Sequence, residues 1–340
     1  MRVTRETLIR LAKERTQEHA FNNDNILAAY LTGSLLMDDP LLGGVTDIDM
    51  VYVTRDNPPR TREIVPLTPD FHLDILYRAK ADYNPPRELR VNPWLGYEIY
   101  DPMLLYESQH FFEFTQAAVR AGSEFQETEI VLQRCRKLLA ESRNIWFDLM
   151  DVRESLNPVQ VRQYLDAVSL AANAVAELSG PPLPERRLLM EFPERAEGAE
   201  RPGFGAGLIG LLGGTNLPST TLESWLPKWK STFITASETG KAHLNVHTAR
   251  VNYYLKAFEA MLGSDAPIMM LWPMMRTWTY AALVLTETQT TAWGDACKHL
   301  GLLGASFHEK VQGLDHFIDE IEIRFDEIAE EHGLETSTSI

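Results

Sequence analysis

Residues 31–53 read LTGSLLMDDPLLGGVTDIDMVYV, and this stretch decides the fold. Within it, Asp47 to Val53 alternates at period two, as a strand with one covered face does. Asp47 and Asp49 then share one face, and Ile48, Met50 and Tyr52 share the other. Upstream, Asn25 to Thr32 (NILAAYLT) is a short apolar run that stops at Gly33-Ser34. Downstream, Phe71 to Tyr77 (FHLDILY) alternates again, with His72, Asp74 and Leu76 on one face and Phe71, Leu73, Ile75 and Tyr77 on the other. If the two alternating strands pair with their apolar faces together, Asp47, Asp49 and Asp74 converge on the opposite surface. Aspartate is a poor strand former, so this density of aspartates is a local cost that asks for a reason.

Working outward, Thr4 to His19 reads as an amphipathic helix with Leu8, Leu11 and Ala12 inward, and a shorter strand is expected around Glu98 to Leu104. The segments between the second and third strands, and from Tyr83 to Pro93, read as loops. After about residue 106 the period becomes helical and stays so. Ser123 to Gln126 fits a capping box opening a long helix toward Asp151. Asn157-Pro158 is an N-cap followed by proline at the first helical position, and Gly180-Pro181-Pro182 is a stop. Further helices are expected at about 184–196, 218–236, 241–262, 266–285, 287–301 and 304–332, with a frayed ETSTSI tail. The fold class is therefore α+β, a small mixed-sheet domain followed by an all-helical one.

Bulk properties agree with this layout. The chain has 340 residues, a length for roughly two domains, and 44% hydrophobic with 24% charged residues is an ordinary globular composition. A formal charge of −16 disfavours nucleic acid, whose binding rests on neutralising phosphates with Lys and Arg. Cys135 and Cys297 provide neither a disulfide framework nor a CxxC metal pair. The N-terminal MRVTRETLIRLAKERTQ is charged within every turn and does not read as a secretory signal. Ala266 to Leu285 is nearly long enough to span a bilayer, but Pro273 and Arg276 interrupt it, so a kinked core helix is expected. A cytoplasmic protein without membrane attachment follows as the expectation.

The chemistry lies in Gly33-Ser34, twelve residues, Asp47-Ile48-Asp49, and then Asp74. Three carboxylates gathered together repel one another unless a cation neutralises them. Oxygen-only ligation suits Mg²⁺ or Mn²⁺, which keep waters and bind substrate phosphates. Two such ions about 3.5–4 Å apart can clamp the attacking and leaving oxygens of a phosphoryl displacement. Gly33 lets backbone approach a phosphate, and a helix beginning near Ser34 would aim N–H groups and a hydroxyl at it.

The pattern LTGS…TDIDMV…FHLDIL resembles the nucleotidyltransferase superfamily of DNA polymerase β type. The helical C-terminal half looks most like the two-domain aminoglycoside nucleotidyltransferases. The resemblance implies a nucleotidyltransferase domain over 1–118, a helical domain over 119–332 that lines the acceptor and nucleotide cleft, and a flexible tail over 333–340. It implies that Gly33 and Ser34 hold the triphosphate of an NTP, and that Asp47 and Asp49 bind two Mg²⁺. Asp74 would complete one metal site and help activate the acceptor hydroxyl. The implied reaction moves a nucleoside monophosphate, AMP first among them, from NTP to a hydroxyl on a small acceptor and releases pyrophosphate. The acidic surface favours a cationic acceptor, such as an aminoglycoside. Two other readings are a non-catalytic, antitoxin-like regulatory module and a transferase for a protein or RNA acceptor.

One departure stands out. Many small-molecule and antitoxin members carry an arginine soon after the Gly-Ser pair, whereas here Leu35, Leu36 and Met37 follow and no Lys or Arg occurs between Arg15 and Arg55. Arg78, on the Asp74 face, is the candidate to meet phosphate, against the blander reading of a solvated strand end. In the helical half, His243, His247, Arg250 and Tyr254 would line one margin of a helix, as a cleft edge or as ordinary polar packing. A zinc pair there lacks a third ligand. Arg136, Lys137 and Arg143 form a basic cluster that reads as a solvated face or a phosphate contact. The segment with Met269, Met270, Trp272, Met274, Met275 and Trp278 reads as core or as a homodimer contact. The glycines of GLIGLLGGT (207–215) lack the Lys-Ser/Thr of a P-loop, and no nucleophile elbow or HExxH occurs.

Overall fold

The structure is a computed structural model, and it describes residues 3–21, 23–121, 124–150 and 157–336. Ser123 and Asp151, the expected limits of the first long helix, and most of the ETSTSI tail lie outside the described residues. The chain forms two compact units, one comprising 1–126 with 252–257, the other 127–251 with 258–340.

The first unit is built on a five-stranded mixed sheet. In chain order it contains α1 (Arg5–Phe21), β1 (Ile26–Thr32), β2 (Ile48–Thr54), β3 (Arg62–Pro66), β4 (His72–Ala79), α2 (Leu95–Tyr100), β5 (Met103–Glu107) and α3 (Phe111–Arg120). The strand order is β3-β4-β2-β1-β5. β2 and β4 run parallel, and every other pairing is antiparallel. Period-two patterning gives each strand two faces, and both faces are covered. On one, Leu8 and Ala12 of α1 pack with Ile48, Met50, Tyr52, Leu73 and Ile75. On the other, Ala28, Tyr30, Val51 and Val53 pack with Tyr83, Leu89, Ile99 and Phe112. Leu11, expected inward, is only half-buried.

Two local expectations fail here for readable reasons. Glu98 to Tyr100, the expected start of the strand around Glu98 to Leu104, belong instead to α2, which forms because the Asn92 side chain accepts from the backbone N–H groups of Trp94 and Leu95 and so caps a turn. The strand begins only after Pro102. β3 lies where a loop is expected: its sequence REIVP is short, charged at its start and ends in proline, as edge strands are.

The second unit is helical: α4 (Thr128–Met150), α5 (Pro158–Ala176), α6 (Leu188–Gly198), α7 (Gly203–Leu211), α8 (Ser219–Ser237), α9 (Val251–Leu262), α10 (Leu271–Ala282), α11 (Thr291–His299) and α12 (Phe307–Glu331), with 252–257 of α9 counted in the first unit. The Asn157 carboxamide accepts from Val159 N–H at 2.8 Å, and Gln160 returns a bond to the Asn157 N–H, as the N-cap reading requires. The Met- and Trp-rich segment is core: Met270, Trp272, Met274, Met275 and Trp278 are all buried. Its proline sits in the first turn of α10, after a 3₁₀ turn at Pro267–Met270, and a proline there costs little. Among the described residues no helix is long and apolar enough to cross a membrane. Cys135 and Cys297 are both buried and free, and burial pushes each thiol well above its ordinary range.

Candidate active site

Strand register brings the aspartates together. Asp49 lies opposite Thr32 of β1 on one side and opposite Asp74 of β4 on the other. Asp47 immediately precedes β2 on the same face. One carboxylate oxygen from each of Asp47, Asp49 and Asp74 lies within 4.8 Å of the others. Asp47 and Asp74 are buried and Asp49 is half-buried. The donor set is all oxygen and carries three formal negative charges, which fits a hard divalent cation such as Mg²⁺ or Mn²⁺. A second set of metal-capable side chains, Glu107, His110 and Glu113, is largely exposed on a surface turn.

Gly33 follows β1 and stands beside this set. Its φ of 74° and ψ of −160° belong to a region that essentially only glycine occupies. A Cβ built there would stand 2.0 Å from Oδ2 of Asp49. Glycine is thus required twice, for the backbone turn and for the room Asp49 takes.

Ser34 starts a 3₁₀ turn of three residues, Ser34–Leu36, closed by Leu36 N–H to the Gly33 carbonyl and Met37 N–H to the Ser34 carbonyl. The helix expected at Ser34 does not form, because Asp38-Asp39-Pro40 follows within one turn. The Ser34 hydroxyl is buried and meets Thr46 Oγ1 at 2.9 Å, while Thr46 Oγ1 donates to the Asp47 carbonyl at 3.2 Å. With the Thr46 proton so used, Ser34 is the donor of the pair. This relay ties the glycine turn to the residue that positions Asp47. Arg5 of α1 braces the same turn from below, donating to the carbonyls of Leu35 at 2.8 Å and Leu36 at 3.1 Å.

The structure does not bring Arg78 to the aspartates. It stands opposite Val53, four residues along β4 from Asp74, or about 13 Å of strand. Its guanidinium forks onto Glu98 of α2, at 2.6 and 3.2 Å. Tyr30 and Tyr83 complete this group with a 2.9 Å hydroxyl–hydroxyl bond, and burial pushes both phenols upward so that they stay neutral. Arg78 is therefore committed to a polar network at the far end of the sheet.

A cation that does reach the site is Arg62, at the start of β3. Its Nε donates to Asp74 Oδ1 at 2.8 Å and its Nη2 to Oδ2 at 2.6 Å. Ile64 pairs with Asp74 in the ladder, so Arg62, two residues earlier, shares the Asp74 face and reaches along it. Sequence reading missed Arg62 because it missed β3. The available signal was Thr68-Pro69-Asp70, a turn sequence between REIVP and the Asp74 strand that marks a hairpin.

Residues flagged in the helical half do not form a site of their own. Residues 241–250 are not one helix but contain two 3₁₀ turns, Leu244–Val246 and Thr248–Arg250. His243 and His247 each cap one of them, their Nδ1 atoms accepting from Asn245 and Ala249 N–H at 3.2 Å. With the helix broken there, the expected margin of His243, His247, Arg250 and Tyr254 is not formed. Arg136 pairs with Asp326 at 3.1 Å, and Arg143 with Asp315 at 2.6 Å and Asp319 at 2.5 Å, all on α12. These two arginines serve helix pairing.

No family model and no curated protein matches the chain. Among solved structures it is similar to a nucleotidyltransferase-like protein from Exiguobacterium sibiricum 255-15. The two share 12% identity, with 95% of this chain and 79% of that chain covered, at a TM-score of 0.28. At that score the likeness carries no weight on function, which must be read from the residues at the site.

Proposed function

We propose that the protein is a metal-dependent nucleotidyltransferase that moves a nucleoside monophosphate from an NTP to a hydroxyl of a small-molecule acceptor, releasing pyrophosphate. AMP is the first group to test. The observation that carries this reading is the convergence of Asp47, Asp49 and Asp74 on one sheet face beside Gly33-Ser34. Asp47 and Asp49 would hold the cations and Asp74 would complete one cation site. Bound there, Mg²⁺ or Mn²⁺ supplies charge neutralisation for the triphosphate and the departing pyrophosphate. The chain's own work is positioning. Gly33 offers backbone with no side chain in the way, the Ser34–Thr46–Asp47 relay fixes that turn against the aspartates, and Asp74 would orient an acceptor hydroxyl.

The test is a screen of NTPs against hydroxyl acceptors, aminoglycosides included, read by pyrophosphate release. Asp47→Asn and Asp49→Asn serve as controls. Release that persists undiminished in both variants would overturn the metal assignment.

A second reading draws on the Arg62–Asp74 fork. A guanidinium already neutralises the third carboxylate, as a non-catalytic module of the same fold would need. Mn²⁺ binding separates the two, since a regulatory module with a permanently closed site binds none.

A further inference from the structure

We infer that Arg62 is an exchangeable counter-ion of this site: it holds Asp74 when no cation is bound, and the incoming cation displaces it onto the triphosphate. The inference rests on the nucleotidyltransferase reading and adds to it the phosphate-binding side chain that the Gly33-Ser34 region lacks.

Three observations carry it. First, the fork engages both oxygens of Asp74, at 2.8 and 2.6 Å. A cation shared among Asp47, Asp49 and Asp74 would take one of those oxygens and repel the guanidinium held there, so the two states of Asp74 compete. Second, the two partners are unequally free to move. The Asp74 side chain is 6% exposed, whereas that of Arg62 is 30% exposed. Arg62 also sits at the first residue of an edge strand of five residues, next to the 55–61 connection. A long side chain on such a strand can turn aside without unpacking a core, but Asp74, paired on both sides, cannot. Third, phosphate charge has to be met from somewhere. No Lys or Arg occurs between Arg15 and Arg55, Arg5 is spent on the Leu35 and Leu36 carbonyls, and Arg78 on Glu98. A guanidinium fork matches phosphate as well as carboxylate, so Arg62 loses little by changing partner.

The arrangement couples the two ligands. A cation alone must break the fork and binds weakly. A cation arriving with polyphosphate gives the freed guanidinium a new partner, and each ligand then strengthens the other.

The experiment uses the full chain and two probes, MnCl₂ alone and MnCl₂ with inorganic tripolyphosphate, which removes any dependence on base. Binding is read by calorimetry and by the Mn²⁺ electron paramagnetic resonance signal for wild type, Arg62→Gln, Arg62→Lys and Asp49→Asn, with folding checked by circular dichroism. Arg62→Gln should bind Mn²⁺ alone about tenfold tighter and Mn²⁺-tripolyphosphate about tenfold weaker than wild type, a crossing of signs that loss of a scaffold contact does not produce. Arg62→Lys should keep part of the polyphosphate affinity, because it retains the charge and loses the fork. An Arg62→Gln protein with unchanged Mn²⁺ affinity, or with both affinities reduced together, overturns the exchange while leaving the metal site standing. If Mn²⁺ binds neither wild type nor Arg62→Gln, or binds Asp49→Asn as well as wild type, the metal-site reading falls and the exchange with it.

Discussion

The space that a Cβ at Gly33 would need is already filled by the carboxylate of Asp49, whose Oδ2 lies 2.0 Å from the position that atom would take. Gly33→Ala must therefore push Asp49 out of the cluster as well as strain a backbone that L-residues avoid. The strain alone should cost about 1–3 kcal/mol of stability. Mn²⁺ affinity should fall further than stability does. Thermal unfolding and Mn²⁺ titration on the same sample give the two quantities. Full Mn²⁺ affinity in a folded Gly33→Ala protein would show that Asp49 has other room.

Asp49 and Asp74 are directly opposite in a parallel ladder, and with Asp47 they bring three like charges together, with Arg62 forked onto Asp74. Asp49→Asn removes one of them. In EDTA this variant should melt above wild type, by a few degrees, because native-state repulsion is relieved. In Mn²⁺ the order should reverse, since wild type gains binding free energy that the variant lacks. Pyrophosphate release by Asp49→Asn should drop steeply, as expected for loss of a metal-clamping ligand. Melting curves with and without Mn²⁺ test the crossover.

Thr46 is buried without exposure and links Ser34 to the Asp47 carbonyl. Thr46→Val keeps its shape and removes the hydroxyl, leaving the Ser34 donor without that acceptor. A loss of about 1–3 kcal/mol is expected from the unsatisfied buried group. Activity should fall by more than this stability loss predicts, since the turn beside the aspartates loosens. Urea unfolding and steady-state rates at a temperature where both proteins are folded separate the effects.

In the helical unit, Glu177 faces Arg134 at 3.7 Å with both side chains fully buried. Burial pushes the Glu177 carboxyl up to about 8, with Arg134 pulling the other way. The raised value means that the folded protein holds a proton there which the unfolded chain releases near the ordinary glutamate range. This contribution is present below that range and is lost as pH rises toward 8, with a slope of at most about 1.4 kcal/mol per pH unit. Glu177→Gln removes the titration. The stability difference between wild type and Glu177→Gln should therefore shift against wild type from pH 5 to pH 8 and level off above it, as read by chemical denaturation across pH. A pH-independent difference would contradict the assignment.

The two strands that carry the aspartates, β2 and β4, were legible because alternation at period two is a strong local signal, and Asp47, Asp49 and Asp74 came with it. What escaped notice depends on partners distant in sequence. Arg62 becomes informative only once β3 is hydrogen-bonded to β4, and the charged start of an edge strand hides that pairing. Arg78 shares the Asp74 face, as alternation requires, but alternation says nothing about distance along the strand or about Glu98. His243 and His247 lie at helical spacing in a segment where their own ring nitrogens cap short turns instead. Thr46 carries no local signal of its own, and its role follows from burial and from its bonds to Ser34 and Asp47.

The unbroken pairing from Ile48 with Leu73 to Thr54 with Ala79 makes β2 and β4 behave like a reading frame. Asp74 sits beside Asp49 only while the two strands stay in phase. One residue inserted among 73–75 sends every later side chain of β4 to the opposite face, whereas one inserted among 57–60 leaves the phase untouched. In a family tree of this protein, length variation should therefore collect in the 57–60 connection and be absent from the strands. That connection leaves β2 at the end of the sheet away from the aspartates, so an engineer can lengthen it without shifting Asp49 against Asp74.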